Sequence, residues 1–430
     1  MINFKNLKKV YCIGIGGIGV SALAQLLHSE GKEVVGSDRE ETLITKMLQD
    51  KRIEVLIGQN ADNVTSDIDL VIYTPAVGES NPEFDKAREL KIPMFSYPEA
   101  LGVISREMFT IAVSGCHGKT TTTAMIGKIL KDAERSPTVI VGSLLQEGKT
   151  NFVRGTSDLF VVEACEYKRS FLHLNPNILV ITNIDNDHLD YYKDLADIQS
   201  AFRELAQKVP KDGFIVTNPN DPAVLPALQG VSARIVDYTL YDEIPHLKVP
   251  GAHNILNAKA ALAAVNAASL DISSEAAQKA LQNFTGTWRR FEYKGKIKNG
   301  AFVYDDYGHH PTEIKATLKA AKESFPDKKI IVVFQPHLYS RTKLLLNEFA
   351  KSFHDADEVI ILPIYAARED GYEGINSEIL TQEIKKNNKN TYFFDNFEKI
   401  ITYLKKYTKT GDLILTMGAG DIYKVGESLL

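Results

Sequence analysis

The sequence predicts an α/β protein of three domains, each built on a mainly parallel sheet. Two observations carry that expectation. Short apolar runs alternate with longer amphipathic stretches along almost all of the 430 residues, the rhythm of strands joined by covering helices. Polar and glycine-rich clusters also follow the apolar runs, at the carboxyl ends of strands, where open α/β sheets bind ligands.

The elements follow in order. The first block has strands near 9–14 (KVYCIG), 33–37 (EVVGS), 69–74 (DLVIYT) and 92–95 (IPMF), with a helix around 18–30. A second block opens with FTIAVSG near 108 and continues through strands 159–163, 178–183 and 214–217 to a helix at 254–268. GTWRR, 286–290, reads as a hinge. The third block has apolar runs at 302–305, 330–335, 358–363, 391–394 and 412–417. The expected domains are 1–107, 108–286 and 287–430, each of ordinary size. Decorated strand ends in all three predict a site assembled where the domains face one another.

Composition excludes several classes. Hydrophobic residues make up 44% and charged residues 24%, which excludes a disordered or collagen-like chain. Lys+Arg 50 against Asp+Glu 55 gives a net charge of -5, so no basic excess points to nucleic acid. No apolar run is long enough to span a bilayer, and no membrane insertion is expected. Three cysteines, Cys12, Cys116 and Cys165, lack zinc spacing and fit free thiols in a reducing, cytoplasmic setting.

The motifs carry the chemistry. Gly14, Gly16, Gly17, Ile18 and Gly19 lie between a strand and a helix, where glycines admit a diphosphate to the helix N-terminus. Asp38 ends the next strand, placed to meet a ribose or base. Gly115-Cys116-His117-Gly118-Lys119-Thr120 follows another strand and opens a helix at Thr121. Its amides can cradle phosphates, Lys119 can reach the terminal ones, and Thr120 can ligate magnesium. Val113 stands where the strict phosphate loop has its first glycine, so the loop is a variant. Glu163 at a strand end is a candidate magnesium ligand, with Glu166 the weaker candidate. His188, among Asp185, Asp187 and Asp190, is a candidate second ligand. In the third block, Asp305 to His310 and Gln335 to Arg341 offer contacts to an anion. Arg341 is the best bidentate clamp among them.

The stretches GCHGKTTTT, EACEYKRSFL, TNIDNDHLDYY, GAHNILNAKAAL, RRFE, DDYGHHPTEI, FQPHLYSRT and GAGDI, taken in order, resemble the Mur ligases of bacterial cell-wall synthesis. DDYGHHPTEI with FQPHLYSRT points to the alanine-adding members. The resemblance implies a Rossmann-like N-terminal domain for a UDP-sugar, a central P-loop ATPase domain and a Rossmann-like C-terminal domain. It implies ATP, two magnesium ions with manganese as a substitute, and UDP-N-acetylmuramate and L-alanine as substrates. The partners are small molecules, and the chain is expected as a monomer or homodimer. By matched position, Gly16, Gly17 and Gly19 would cradle the UDP diphosphate, with Ser37 and Asp38 facing uridine. Lys119 would steady the transferring phosphoryl group. Thr120 and Glu163 would hold one magnesium, and His188 the second. His253, Asn254 and Asn257 would face adenine. Arg290 and Asp305 would meet ATP phosphate and ribose. Tyr307, His309, His337 and Arg341 would line the alanine and acyl-phosphate end, with His309 as the base.

Departures from the family are Cys116, where threonine is usual, and Leu338, where arginine is common. The stretch from Asp237 to Gly251 is short, which predicts a central domain with fewer strands. Rival readings are a hydride-transferring Rossmann enzyme, which leaves the phosphate loop idle, and a nucleotide-dependent switch, which leaves the third block idle. Within the ligases, the tripeptide-recycling enzyme and folylpolyglutamate-type enzymes are the nearest alternatives.

Overall fold

The computed structural model describes residues 4–78, 80–367, 369 and 374–430. It contains three sheets, and strands that are apolar throughout are buried throughout because helices cover both faces.

The first sheet has five parallel strands in the spatial order Glu54–Ile57, Glu33–Asp38, Lys9–Ile13, Leu70–Tyr73, Met94–Ser96. The order reverses beside Lys9–Ile13, and the glycine turn leaves the carboxyl end of that strand, at the switch point. The helix Ile18–Ser29 follows directly.

The second sheet has seven strands: Arg234–Asp237, Phe214–Thr217, Ile178–Ile181, Phe109–Ser114, Leu159–Glu163, Thr138–Leu145 and Thr150–Val153. Only the last pair is antiparallel. Phe109–Ser114 is central, so the loop it launches sits mid-sheet, ahead of the helix Lys119–Asp132. Between Asp237 and the helix Ala252–Ala267 the chain makes one 3-10 turn, Tyr238–Leu240, and adds no strand, as the short spacing predicts.

The third sheet has six strands: Glu292–Lys296, Phe302–Asp306, Leu413–Met417, Ile330–Phe334, Glu358–Ile361 and Thr391–Phe393. The first is an antiparallel edge. Alternate residues of one strand feed opposite cores: Ile330, Val332 and Phe334 pack on one face, Ile331 and Val333 on the other.

The chain divides into two compact units. One holds 1–184, 199–245 and 257–282, and so contains the first two sheets; the other holds 185–198, 246–256 and 283–430. No described helix is long and apolar enough to cross a membrane.

Candidate functional site

In the first unit the glycine turn is held by backbone geometry. Gly14 has φ +74°, and a Cβ there would lie 2.4 Å from Thr74 Cγ2. The amides of Gly14 and Ile15 both donate to Ser37 O at 2.9 Å. Asp38 closes the turn: its Oδ2 accepts from Gly16 N at 2.8 Å and its Oδ1 from Arg39 N at 2.8 Å. The carboxylate is folded onto its own loop. Ser37 sits just before Asp38 on the same strand. It is fully buried, and its hydroxyl donates to Glu83 Oε2 at 2.7 Å. Glu83, also fully buried, accepts from Tyr11 Oη and Asn63 Nδ2 at 2.8 Å each. The Ser37 hydroxyl is turned inward, where it helps to satisfy that carboxylate.

The phosphate loop lies in the same unit. Gly115 and Gly118 have φ +127° and +83°, and a Cβ on Gly115 would lie 2.0 Å from Thr182 Oγ1. The loop is clamped from the next strand end. Asn183 accepts from His117 N with Oδ1 (2.9 Å), donates to His117 O with Nδ2 (3.0 Å), and accepts from Cys116 N with its carbonyl (3.1 Å). Lys119 Nζ donates to Gly115 O (2.5 Å), Cys116 O (3.2 Å) and Glu166 Oε1 (2.9 Å). Burial alone would lower this ammonium's pKa; Glu166, helped by Cys165, Cys116 and Glu163, outweighs it and holds the charge firmly on. Glu166 is therefore the counterion of Lys119. Thr120 and Thr121 are buried in the first helical turn. Glu163 Oε2 accepts from Gly142 N at 2.8 Å, and among the described residues its Oε1 accepts no hydrogen bond. Asn257, in the second turn of its helix, rests its Oδ1 against Gly118, where a Cβ would lie 2.3 Å away.

The second unit gathers His188, His309, His337 and Arg341 around Asp187, which the sequence reading left unassigned. Arg341 Nη2 donates to Asp187 Oδ1 at 2.8 Å, and both side chains are 7% exposed. Burial would raise the Asp187 carboxyl; His188, Arg341 and the neighbouring imidazoles instead hold it well below the carboxylate range. Arg341 Nη1 donates to His337 Nδ1 at 3.2 Å, and His337 stacks on Tyr365. His309 Nδ1 faces Tyr307 O at 3.1 Å, an acceptor, so Nδ1 carries the hydrogen and Nε2 the lone pair. Burial, with Arg341 adding and Glu313 opposing, lowers the His309 pKa to about 4. His310 has the other tautomer: Nε2 donates to Asn186 O at 3.0 Å, and Nδ1 accepts from Thr312 N at 3.3 Å to cap the helix Pro311–Ser324.

Arg290 pairs with Glu313 at 3.6 Å and stacks over Tyr307. Burial and then Arg290 lower the nearby His253 to about 4. Asn254 donates to Pro250 O at 2.7 Å. Asp305 lies near the end of strand Phe302–Asp306. It is 1% exposed; Oδ2 accepts from Arg289 Nε at 2.7 Å and Oδ1 from Thr416 Oγ1 at 2.6 Å. Arg289 also donates to Gly420 O (2.9 Å) and Gly418 O (2.5 Å). Both carboxylate oxygens thus have partners inside the unit. Its neighbour Asp306 accepts from Phe291 N and Gly308 N at 2.8 and 2.7 Å, and burial raises its carboxyl to about 6 against the pull of Arg290. In DD and RR, adjacent like residues take different partners, and sequence alone does not tell which side chain meets which.

Three family models match the chain: "Mur ligase family, catalytic domain" over 9–108, "Mur ligase middle domain" over 113–245, and "Mur ligase, glutamate ligase domain" over 289–420. A UDP-N-acetylmuramate–L-alanine ligase of Clostridium novyi is 44% identical over 452 residues, covering 99% of this chain and 98% of the relative. A protein of the same name from Acetivibrio thermocellus is also 44% identical, covering 98% and 96%. The crystal structure of a UDP-N-acetylmuramate–alanine ligase from Thermotoga maritima superposes with a TM-score of 0.81 at 31% identity, covering 98% of each chain. A murein peptide ligase from Psychrobacter arcticus shares the fold, with a TM-score of 0.73 at 24% identity. The chain belongs to the Mur ligase family.

Proposed function

We infer that this chain is an ATP-dependent ligase that joins L-alanine to the lactyl carboxylate of UDP-N-acetylmuramate through an acyl phosphate. The observation that carries the reading is the near-complete coverage, at 44% identity, by relatives bearing that activity in their names. The clamped phosphate loop with its charged lysine supports it.

A carboxylate is a poor acyl donor, and phosphorylation supplies a leaving group. The lactyl oxygen attacks the γ-phosphorus, ADP departs, the alanine nitrogen attacks the acyl carbon, and phosphate leaves. The protein positions the partners and stabilises charge. Gly16, Gly17 and Gly19 cradle the UDP diphosphate at the N-terminus of Ile18–Ser29. The loop amides of 115–120 hold ATP, and Lys119 turns from Glu166 to the moving phosphoryl group. Thr120 and Glu163 offer a hydroxyl and a carboxylate oxygen, an oxygen-only set that fits a magnesium ion. Bound there, magnesium neutralises phosphate charge. His188 would offer its imidazole to a second ion, and manganese would substitute at both. His253, Asn254 and Asn257 serve adenine, and Arg290 an ATP phosphate. Arg341 and His337 bind the acyl phosphate or the alanine carboxylate. His309, neutral at working pH, offers Nε2 to the amine proton. Tyr307 orients the imidazole through its carbonyl. Ser37 and Asp305 support these groups from beneath. Domains of 1–107, 108–286 and 287–430 would divide the tasks.

Phosphate release from ATP and magnesium, measured with UDP-N-acetylmuramate and, in turn, each of twenty amino acids and a cell-wall tripeptide, tests the reading. The expected result is release that needs both the UDP-sugar and L-alanine, with a product heavier by one alanyl residue. Release with a tripeptide instead of alanine would move the chain to the recycling reaction. Release that ignores the sugar would overturn the ligase reading.

A further inference from the structure

Within the first unit, the glycine turn and Glu163 are joined by one buried side chain that no role above uses. Asn151 lies on strand Thr150–Val153 and is fully buried. Its Nδ2 donates to Ile18 O (2.5 Å) and Ser21 Oγ (2.8 Å), and its Oδ1 accepts from Gln25 Nε2 (2.7 Å). Ile18, Ser21 and Gln25 share one face of the helix that follows the glycine turn. Gln25 Oε1 in turn accepts from Lys51 Nζ (2.5 Å) and Thr150 Oγ1 (3.1 Å). Both amides are satisfied, which makes this a specifying contact rather than loose packing.

The other end of the same hairpin reaches Glu163. Thr150–Val153 pairs with Thr138–Leu145, and beyond the Ile140↔Phe152 pair the register slips. In that slipped stretch, Gly142 N donates to Glu163 Oε2 at 2.8 Å. A Cβ on Gly142 would lie 2.5 Å from the same oxygen, so the carboxylate rests flat on this backbone. The ring of Tyr97, a residue that feels the charge of Glu163, would lie 2.7 Å from a Cβ on Gly19 of the turn.

We propose that Asn151 is a positioning residue for acyl-phosphate formation: it locks the hairpin 138–153 onto the helix behind the glycine turn, and so sets the distance between the UDP-sugar cradle and Glu163. The proposal rests on the ligase reading above. The two cradles hold different substrates whose reacting atoms must meet at about 3–3.5 Å, and an error of about 1 Å costs on the order of a hundredfold. A hydrogen-bonded strut between them is therefore worth rate, not affinity.

The test is steady-state kinetics of the full chain with Asn151→Ala, Gly142→Ala and the double variant. Asn151→Ala should lose about 10–100-fold in kcat while KM for ATP and UDP-N-acetylmuramate stays within about threefold. Gly142→Ala should show a similar loss with a raised magnesium requirement. The double variant should lose no more than the worse single, because one device is broken twice. Val209→Ala, a buried change in the same unit, is the stability control and should keep kcat at a temperature where every variant is folded. An unchanged kcat in Asn151→Ala, or losses that multiply in the double variant, would overturn the proposal. If Asn151→Ala does not fold, Ser21→Ala removes one of its partners and takes its place. Failure of the ligase reading is separate, since it appears as inactivity of the unaltered chain.

Discussion

Arg289 shows how one side chain can decide a local structure. Its guanidinium makes an ion pair with Asp305 and donates to two carbonyls of the loop 418–420, while its face lies over Tyr423 at 4.9 Å and Tyr307 at 5.2 Å. Removing it strands a buried carboxylate, a loss of about 3–5 kcal/mol. Arg289→Met should lower the thermal midpoint by many degrees, and Arg289→Lys should rescue little, since an ammonium does not match the fork. A midpoint within a degree or two of the parent would contradict this. His309 makes a pH prediction. Folded, it takes its proton only at about 4, whereas the unfolded imidazole does so near 6.5. As pH falls from 6.5 to 4 the unfolded chain binds a proton that the folded one refuses, and stability drops. His253 acts in the same direction. Asp306, raised to about 6, has the opposite sign: its contribution is lost as pH rises from about 3.8 to 6. His309→Asn should therefore lose less stability than the parent between pH 7 and 5. Equal losses in thermal melts at the two pH values would count against the assignment. These pairings were hidden in the sequence because RR and DD each present two equivalent candidates.

At the scale of elements, the parallel strands were legible and the edges were not. FTIAVS, ILVI and LILTM are continuous apolar runs because both faces of each are buried. Glu292–Lys296, sequence EYKGK, is a half-wet antiparallel edge, and Arg234–Asp237 is largely exposed, so neither has an apolar run. The hairpin Thr138–Leu145 and Thr150–Val153 is half legible: TVIV is a buried apolar run, but beyond Gly142 the strand is only partly buried, and TNFV is too short and polar to announce a partner. The strand ends bearing Gly115, Glu163 and His188 were all readable, since glycine and charge after an apolar run are local signals. The phosphate loop has little room for change. At Gly115, with φ +127°, an added Cβ would meet Thr182 Oγ1 at 2.0 Å. Gly115→Ala should weaken nucleotide binding by tenfold or more while leaving UDP-sugar binding intact, by titration calorimetry with each ligand. Comparable losses for both ligands would mean that the damage is global.

At the scale of the molecule, sequence reading places cuts at strand-free stretches, whereas contacts group residues across them. Residues 185–198 and 246–256 belong with the third sheet. Asp187 pairs with Arg341, Asn186 O receives His310, and Asp185 receives Thr312 Oγ1 at 2.7 Å. Periodicity does not report such loop-to-domain bonds, because no pattern within a loop names a distant partner. A fragment 287–430 would leave Arg341 buried without its carboxylate. Its thermal midpoint should fall roughly 10 °C below that of the same unit in the full chain. Amides around Tyr339–Leu344 should exchange faster in hydrogen–deuterium measurements. Identical protection in fragment and full chain would show that the two inserted segments contribute nothing to that unit.

The pairing of Lys119 with Glu166 has a consequence for selectivity. A bare ammonium in a ring of amides attracts any small anion, and inorganic phosphate is a product of the proposed reaction. With Glu166 already seated 2.9 Å from Lys119, every incoming anion must compete with an internal one. Free phosphate brings only its own charge to that contest. A nucleotide also brings its chain of phosphates along the loop amides and its base. If the loop holds ATP as proposed, it is expected to resist plugging by its own by-product and to yield to the ligand long enough to displace the carboxylate.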